Sequence, residues 1–529
     1  MDSQTVRQQA VALLAHMPQR ISHAVRLSAQ QRPDHPALAA GNTVWTYAEL
    51  MAAVDEAAVA LQQYGIRPGD RVMLVGENSL AVAALALAVS ELSAWSVVAN
   101  PRLSNREIDQ IRDHCGARRA FYATEVSDAA RQHAARHNAS IETLGRLGLL
   151  GVGQLNESAA PEPVTAHPAK QTATLLYTSG TTGNPKGVML THSNLLFNAR
   201  VWAAVHRHSP SDRVYGVLPM SHIVGFSVIL VATLVAGSTA YLAPRYDPAE
   251  FVAAIAKGDV TLFFGVPALY QRLLEYKAVA GLAALPRGAL RCLMVAGAPL
   301  DLTLKHEIEA EFGQPLLNAF GITECAPGIA SVRDDSLRQD ESVGTILPGI
   351  EARLVARSGG VVTPGEVGEL HIRGPNVMLG YYRAPDLTAA AIDADGWYNS
   401  GDLARFQGEA LFIVGRTKEL IIRSGFNVYP AEVEAVLNSH PAVVQSAVVG
   451  RAVPGNEEVV AFVQLLSGST IATSELMDYV AGQLTAYKRP AEIIVLSALP
   501  AGATGKILKH KLAEAARDAA AARASGQHI

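Results

Sequence analysis

The sequence is short of cysteine, of long apolar runs and of any excess of one charge, and each shortage excludes a class of protein. Its 529 residues contain three cysteines, which are widely spaced and form no Cys-x-x-Cys pair, so we expect neither a disulfide framework nor a structural zinc site. The 44 lysines and arginines nearly balance the 48 aspartates and glutamates, which leaves no basic field for nucleic acid or an anionic membrane. These features predict a cytoplasmic protein whose ligands are small molecules.

The sequence also lacks the apolar length that membrane insertion or export requires. Residues 223–236 form the most apolar stretch, but a membrane-spanning helix needs roughly 20 residues. The N-terminal segment, residues 1–20, contains no continuous apolar core of the kind found in signal peptides. We therefore expect no integral membrane segment and no export signal, and we predict a buried helix over 223–236.

What the sequence does contain is an alternation of short apolar strands and helices. In the first part of the chain this pattern predicts strands at 71–75, 95–98 and 119–122, separated by helices at 79–92 and 105–114. Strands joined by crossover helices favour a mainly parallel sheet that is covered on both faces. A similar alternation from 194 to 295 predicts an α/β fold class, and residues 144–170 are predicted to form a surface connector.

The pattern changes twice in the C-terminal part. From about 344 to 417, short strands and glycine-containing turns predict a small β-rich subdomain that completes a large N-terminal domain, 1–417. Residues 418–529 mix strands and helices, which predicts a smaller α+β C-terminal domain of ordinary size. The alanine-rich tail after Lys511 is predicted to be either helix or disorder.

One loop organises the rest of the chain: Tyr177-Thr-Ser-Gly-Thr-Thr-Gly-Asn-Pro-Lys186-Gly187. It follows a predicted strand, 172–177, and precedes a predicted helix. Its glycines allow backbone N–H groups to approach an anion closely, its hydroxyls add donors, and Lys186 adds a positive charge. We therefore predict a phosphate-binding loop, although its Pro-Lys-Gly ending differs from the Gly-Lys-Ser/Thr ending of the ordinary P-loop.

The complete string resembles the signature of the ANL superfamily of adenylate-forming enzymes, which contains acyl-CoA synthetases, adenylation domains and luciferases. Further motifs of this superfamily follow in the family order from Trp45-Thr-Tyr to Lys506, so the resemblance covers nearly the whole chain. It implies a large N-terminal domain of two packed α/β sheets, a small mobile C-terminal lid domain, and the use of ATP, magnesium and coenzyme A. We expect a monomer or a homodimer.

Two acidic motifs carry the predicted nucleotide contacts. Glu324 ends Phe320-Gly-Ile-Thr-Glu324, where a carboxylate beside a glycine turn suits Mg²⁺ shared with phosphates, although a Thr-Glu pair is also a common helix cap. Asp402 follows Ser-Gly, and its two oxygens suit vicinal ribose hydroxyls, although Gly-Asp is also a common turn. The resemblance implies a metal ligand in Glu324 and the following ATP or AMP contacts: Thr178, Ser179, Gly180, Thr181, Thr182, Gly183, Gly297, Ala298, Pro299, Phe320, Gly321, Thr323, Asp402 and Arg416.

The resemblance assigns the conformational cycle to the C-terminal part. Lys418 matches the hinge of the family, about which the small domain turns. Lys506, in the final Gly-Lys motif, matches the lysine that neutralises charge as an acyl-adenylate forms. The segment Ser424, Gly425 and Phe426 matches the one that lines the passage for the pantetheine of CoA. The predicted catalytic residues are Lys186, His222, Glu324 and Lys506.

The acid site is predicted around His222. On its own, a histidine before an apolar helix is more often a hydrogen-bonded core residue, but the family places this position near the substrate carboxylate as a gate. No acidic residue follows Leu218-Pro-Met-Ser, so an α-ammonium group would lack a partner and amino acids are disfavoured. The predicted lining is apolar, which favours an aromatic or medium-chain acid, and it consists of His222, Ile223, Val224, Phe226, Phe264, Gly265 and Val266.

Together these motifs predict an AMP-forming acyl-CoA synthetase, closest in its motifs to ligases of the benzoate, chlorobenzoate and coumarate kind. One alternative is an enzyme that adenylates its acid and then loads a separate carrier protein. A luciferase-like oxygenase and a nucleotide-sensing module are two further alternatives. The sensing module predicts the loss of Lys506 or Glu324, and both residues are present.

Overall fold

A computed structural model describes residues 3–178, 186–356, 359–363, 365–424, 426–453, 456–466, 468–502 and 507–524. In chain order its α-helices are α1 (Ser3–Leu14), α2 (Ile21–Gln31), α3 (Tyr47–Gln63), α4 (Leu80–Glu91), α5 (Asn105–Cys115), α6 (Asp128–Arg136), α7 (His192–Val205), α8 (Thr233–Val235), α9 (Pro248–Ala256), α10 (Pro267–Val279), α11 (Leu302–Phe312), α12 (Pro385–Ala391), α13 (Pro430–Asn438), α14 (Thr473–Ala481) and α15 (Lys509–Ala524). Short 3₁₀ turns occur at Gly145–Leu147, Thr323–Cys325 and Ala486–Lys488, and a π-helix at Val224–Ala232.

The strands are β1 (Pro36–Ala40), β2 (Thr43–Thr46), β3 (Arg71–Val75), β4 (Trp95–Ala99), β5 (Arg119–Tyr122), β6 (Ser140–Thr143), β7 (Leu149–Val152), β8 (Thr172–Thr178), β9 (Lys186–Thr191), β10 (Arg213–Gly216), β11 (Thr239–Leu242), β12 (Leu262–Gly265), β13 (Cys292–Val295), β14 (Leu316–Gly321), β15 (Gly328–Ser331), β16 (Thr345–Ile346), β17 (Glu351–Val355), β18 (Gly368–Arg373), β19 (Gly380–Tyr381), β20 (Tyr398–Gln407), β21 (Ala410–Arg416), β22 (Ile421–Arg423), β23 (Phe426–Val428), β24 (Val443–Val453), β25 (Asn456–Leu465) and β26 (Glu492–Leu496).

Two large sheets form the N-terminal domain. Over the described residues, one contains 13 strands in the order β17-β18-β20-β21-β16-β15-β14-β13-β12-β10-β11-β1-β2, and the other contains 8 in the order β19-β9-β8-β4-β3-β5-β7-β6. Their central strands pair in parallel, β11-β10-β12-β13-β14 in one and β8-β4-β3-β5 in the other. This arrangement confirms the α/β fold class with two sheets. The small C-terminal domain contains the hairpin β22-β23 and the sheet β24-β25-β26.

The alternating directions of the strand side chains explain how the 8-stranded sheet packs against the 13-stranded sheet on one face and against helices on the other. In β3, Leu74 belongs to a large apolar cluster that also contains Leu262 of β12, so this cluster joins the two sheets. The neighbouring Met73 faces a second cluster with Ile108 of α5. A strand whose successive side chains face opposite directions is therefore buried on both faces, as expected for a parallel sheet covered by helices.

The β-rich segment extends the first sheet and does not stand apart from it. Strand β15 pairs antiparallel with β14 and with β16, and β16 pairs with β21. Through these pairs the antiparallel strands β17, β18, β20 and β21 continue the 13-stranded sheet. We propose the domain boundary at 417/418, in the interval between β21 and β22.

Local sequence signals account for several helix boundaries. Thr46 accepts a hydrogen bond from the backbone N–H of Glu49, and the Glu49 carboxylate accepts one from the N–H of Thr46, which together form a capping box at the start of α3. Thr191 caps α7 in the same way with Asn194. The tail is helical over Lys509–Ala524, because Leu512 and Ala516 lie one turn apart and are buried against the C-terminal sheet.

Two expectations about the connections were wrong in part. The predicted connector 144–170 contains a 3₁₀ turn and the strand β7, which pairs antiparallel with β5 and β6. Glycines in this segment obscured the strand; Gly148 adopts a left-handed φ of 74°, which lets the chain reverse into β7. The phosphate loop is followed by the strand β9 before α7 begins, so it links two antiparallel strands.

The stretch 223–236 is a buried helix, as predicted, but most of it is a π-helix. Within Val224–Ala232 every residue is buried. A Cβ atom on Gly225 would lie 2.1 Å from the carbonyl oxygen of Pro219, so only glycine allows the helix to approach this segment so closely. Within the described ranges, no helix combines the length and the hydropathy needed to cross a bilayer.

The segment between β10 and this π-helix is held by one buried side chain, that of Asn78. Its Nδ2 donates to the carbonyl oxygens of Gly216 and Leu218, each at 3.0 Å, and its Oδ1 accepts from the N–H of Met220 at 2.8 Å. Asn78 immediately precedes the cap of α4. It therefore joins the connection after β3 to the connection after β10.

We predict that Asn78→Ala lowers the free energy of unfolding by about 3 kcal/mol, because it leaves buried carbonyl and N–H groups without partners. Urea unfolding followed by tryptophan fluorescence would measure this loss, since all four tryptophans precede residue 418. Asn105→Ala, at an exposed position, is the matched control. Equal unfolding midpoints for the two variants would show that these hydrogen bonds do not support the segment.

Candidate active site

The parallel strands β10, β12, β13 and β14 end at one edge of the 13-stranded sheet, and the predicted site residues follow them. Parallel neighbours run in the same direction, so the segments after their carboxyl ends lie side by side. The last residues of these strands and the segments after them contain the predicted site residues. In sheet order these are the residues around His222, then Gly265 and Val266, then Gly297, Ala298 and Pro299, and then Phe320, Gly321, Thr323 and Glu324. The sheet therefore brings together the predicted acid-binding residues and the predicted adenine-binding residues.

Close packing fixes the backbone at this edge. A Cβ atom on Gly321 would lie 2.2 Å from the carbonyl oxygen of Pro327, and one on Gly265 would lie 2.7 Å from the ring of Tyr270. Gly297 has a left-handed φ of 87°, and a Cβ atom there would lie 3.4 Å from Val266. Gly297, Ala298 and Pro299 are exposed, which leaves this loop accessible to a ligand.

The phosphate loop approaches from the other sheet. Its flanks Thr178 and Lys186 lie opposite each other as the paired ends of β8 and β9, and both are half-buried. The predicted phosphate contacts Ser179, Gly180, Thr181, Thr182 and Gly183 lie outside the described residues. The strand ends nevertheless fix where the loop begins and where Lys186 stands.

A tyrosine that the sequence analysis did not assign connects Lys186 with Glu324. The Lys186 Nζ lies 5.1 Å from the centroid of the Tyr381 ring, within the range of a cation–π interaction. The Tyr381 hydroxyl donates to the Glu324 Oε1 at 2.9 Å. Tyr381 stands in β19, opposite Val188 of β9, so only the pairing of strands distant in sequence reveals its position.

A second tyrosine extends this network. The Tyr398 hydroxyl hydrogen-bonds to that of Tyr381. Burial, together with the nearby Glu324 carboxylate, raises the pKa of both phenols well above the ordinary value. Both hydroxyls therefore stay protonated at neutral pH and remain hydrogen-bond donors, and the resulting chain ends on Glu324.

Asp402, which is buried, forms an ion pair with the partly exposed Arg416 beside this network. They are register partners in β20 and β21, and the Arg416 Nε donates to the Asp402 Oδ1 at 3.0 Å. Burial alone would lower the pKa of Arg416, but the charges of Asp402, Glu419 and Glu324 raise it overall. The structure thus brings together Asp402 and Arg416, two of the predicted nucleotide contacts, and the charge of Glu324 also acts on Arg416.

The residues predicted to line the acid pocket are mostly apolar, and a tryptophan that the sequence analysis did not assign lies against one of them. Ile223, Val224 and Phe226 are buried, whereas His222 is half-buried at the start of the π-helix. Phe264 is buried too, and its ring lies 5.4 Å from that of Trp202 in α7. No sequence motif marks Trp202, because its contact with Phe264 arises only from the packing of α7 against the sheet.

The predicted C-terminal residues are described only in part. Gly425 and Lys506 lie outside the described residues. Lys418 follows Thr417, whose backbone N–H donates to the carbonyl oxygen of Gly401 at 2.9 Å, so the predicted hinge begins next to Asp402. Ser424 has a left-handed φ of 51°. The exposed ring of Phe426 stacks on Tyr487 with centroids 4.7 Å apart.

Comparison with known proteins identifies the family of this chain. The family model of the AMP-binding enzyme matches residues 25–382, and that of the AMP-binding enzyme C-terminal domain matches residues 432–506. Feruloyl-CoA synthase from an Amycolatopsis species is 35% identical over 493 residues, which cover 91% of this chain and 96% of that protein.

Solved structures are similar to this chain over most of their length. ATP-bound MatB from Rhodopseudomonas palustris has a TM-score of 0.83 and 30% identity, over 95% of this chain and 100% of that one. The o-succinylbenzoate CoA synthetase of Bacillus subtilis, in complex with its acyl-adenylate intermediate, has a TM-score of 0.80 and 30% identity, over 92% and 97%. With both family models matched in order, this chain belongs to the AMP-binding enzyme family, within the adenylate-forming ANL superfamily, and its relatives there are acyl-CoA ligases.

Proposed function

We propose that this protein is an AMP-forming acid–CoA ligase that acts on an aromatic or medium-chain carboxylic acid. The observation that carries the proposal is the single sheet edge at which the predicted nucleotide residues and the apolar acid pocket meet. In the first half-reaction, a carboxylate oxygen of the acid attacks the α-phosphorus of ATP and the bond to the bridging oxygen breaks. Pyrophosphate leaves, and an acyl-adenylate is formed.

We assign the nucleotide contacts from the positions of the described residues. The half-buried ring of Phe320 suits stacking on adenine, and it stands where the family usually has tyrosine. The buried Asp402 carboxylate, oriented by Arg416, suits the ribose hydroxyls. Lys186, beside Glu324 and Tyr381, supplies positive charge to the phosphates. Catalysis of this step rests on positioning and on charge stabilisation.

The donor set fits magnesium shared with the triphosphate. Among the described residues no group of three or more His, Cys, Asp or Glu side chains could hold a metal ion, so Glu324 would be the principal protein ligand. Mg²⁺ commonly binds one or two carboxylates and takes its remaining ligands from substrate phosphates and water. When bound, the ion would neutralise phosphate charge, while Tyr381 would orient the Glu324 carboxylate.

In the second half-reaction the sulfur of CoA attacks the acyl carbonyl, and AMP leaves. We propose that the C-terminal domain turns about Lys418 between the two steps, which withdraws Lys506 and presents the segment Ser424–Phe426 to the pantetheine. Hinges of this kind change backbone angles at a few residues and leave the domains intact. Cytoplasmic location and a monomeric or homodimeric assembly stay predictions of the sequence.

The apolar lining supports the proposed acid class. Phe226, Phe264 and Trp202 supply aromatic faces, and an aromatic pocket of this kind favours a flat, apolar acid. One of the relatives, feruloyl-CoA synthase, is named for an aromatic acid. His222 is half-buried and precedes the buried residues of this lining, and we propose that it gates the entry of the acid.

The products would test the proposal directly. We expect an acyl-CoA only when ATP, Mg²⁺, CoA and an aromatic or medium-chain acid are all present, as measured by mass spectrometry over a panel that also contains long-chain acids and amino acids. Accumulation of an acyl-adenylate that CoA does not discharge would instead identify a carrier protein as the acceptor. No adenylate with any carboxylic acid would contradict the proposed function.

We predict that Lys506→Ala slows acyl-adenylate formation by about 100-fold or more, the usual cost of removing one charge-stabilising donor. Thioester formation from supplied acyl-adenylate should stay nearly unchanged, because Lys506 acts in the first step only. Lys511→Ala, at an exposed position of α15, is the matched control and should leave both half-reactions unchanged. Equal losses in both half-reactions would rule out the role assigned to Lys506.

We predict that Tyr381→Phe raises the magnesium concentration required for half-maximal adenylation several-fold and lowers the rate about tenfold, since a hydrogen bond to a charged group contributes about 1.5–3 kcal/mol. The phenylalanine ring keeps the contact with Lys186, so only the hydroxyl on Glu324 is removed. Tyr382→Phe is the matched control, because the Tyr382 hydroxyl donates to Glu162 at 2.6 Å. An unchanged magnesium dependence in Tyr381→Phe would show that this hydroxyl does not orient Glu324.

A further inference from the structure

The hairpin β22-β23 is attached to the start of β25 by two adjacent side chains. The Asn456 Oδ1 accepts a hydrogen bond from the backbone N–H of Ser424 at 2.6 Å, and its Nδ2 donates to the Ser424 Oγ at 3.2 Å. The Glu457 Oε2 accepts from the backbone N–H of Ile422 at 2.5 Å. Side chains thus take the place of a strand partner along this edge of the hairpin.

Ser424 stands in a conformation that its side chain disfavours. Its φ of 51° lies in the left-handed region, where glycine is common and other residues need support from their surroundings. Asn456 supplies that support by binding both the backbone and the side chain of Ser424. One amide side chain therefore determines the direction in which the chain leaves β22.

The position of this turn gives the contact a functional meaning. Ser424 begins the Ser424–Phe426 segment, which we propose to face the pantetheine in the second half-reaction. The two hydrogen bonds between Asn456 and Ser424 are exposed, and Asn456 belongs to neither apolar cluster of the C-terminal domain. Exposed contacts of this kind contribute little to global stability, so the pair is placed to orient the turn and not to hold the domain together.

We propose that Asn456 is a positioning residue for thioester formation: it holds Ser424 in the left-handed conformation and thereby orients the hairpin tip toward the incoming CoA. This inference rests on the proposed function. Asn456 acts through Ser424 and does not itself contact the reacting atoms. The same reasoning assigns Glu457 the supporting task of keeping β22 in register.

The test separates the two half-reactions in Asn456→Ala, Ser424→Gly and the double variant. Asn456→Ala should slow acyl transfer from supplied acyl-adenylate to CoA about tenfold, or raise the KM for CoA to the same extent, while ATP-dependent adenylation stays within twofold of the wild-type rate. Ser424→Gly measures separately what removal of the Ser424 side chain from the proposed passage costs, and the double variant is compared with it. The double variant should recover most of the lost transfer, because glycine adopts a positive φ without the support of Asn456.

A second measurement reports the hairpin without using CoA. Amide hydrogen exchange of peptides covering 421–428 should be faster in Asn456→Ala, and the thermal unfolding midpoint should stay close to that of the wild type. A merely structural role would lower that midpoint and reduce both half-reactions together, and glycine at 424 would not restore transfer.

The outcomes separate this inference from the proposed function. Normal CoA transfer by Asn456→Ala, or a double variant as slow as the single one, would overturn the positioning role while leaving the ligase assignment intact. Failure of the wild-type protein to discharge its acyl-adenylate onto CoA would overturn the ligase assignment, and the role in thioester formation with it. Selective loss of transfer in Asn456→Ala, restored by Ser424→Gly, would support the inference.

Discussion

Parallel pairing of β10, β12, β13 and β14 is the constraint on which the candidate site depends. Each of these strands is short and buried, and each is followed by a loop at the same edge of the sheet. Residues from four separate regions of the sequence reach one place only because the strands run in one direction. A register shift of one residue would exchange the side chains on the two faces of a strand, so core packing and site geometry are determined together.

The site also joins the two sheets of the large domain. Lys186 and Tyr381 belong to the 8-stranded sheet, whereas Glu324 follows a strand of the 13-stranded sheet. The hydrogen bond from Tyr381 to Glu324 crosses between them, and the backbone N–H of Met378 adds a second link to the Glu324 carbonyl oxygen at 2.8 Å. The charged groups proposed to bind the phosphates therefore lie on two different sheets, which suits the proposed catalysis by positioning.

Local patterns in the sequence were sufficient for much of this architecture. The strand Arg71–Val75 was predicted with its observed bounds, because a continuous apolar run between helices is typical of a strand buried on both faces. The motif that contains Glu324 correctly placed a carboxylate in the turn after β14, whereas Asp402, which was expected on a tight turn, lies within the strand β20. These signals are short-range, and short-range patterns are what a single sequence carries most reliably.

Contacts between residues distant in sequence could not be predicted from such local patterns. Tyr381 joins the site only because β19 pairs with β9, and Trp202 reaches Phe264 only through the packing of α7. Strand β7 was missed because the glycine within it and those just before it weaken the apolar pattern. Asn78 and Asn456 have no motif at all, since their importance comes from backbone groups that the fold brings to them.

The π-helix at Val224–Ala232 has a consequence for how this pocket can diversify. A π-turn is an α-turn widened by an additional residue, so loss of one residue from this stretch could be absorbed by a return to α-helical spacing. Side chains within the former π-helix would then shift around the helix axis, whereas those beyond it would keep their direction and the segment held by Asn78 would stay in place. A change of one residue in length could therefore alter the side chains proposed to line the acid site while both ends of the helix kept their positions.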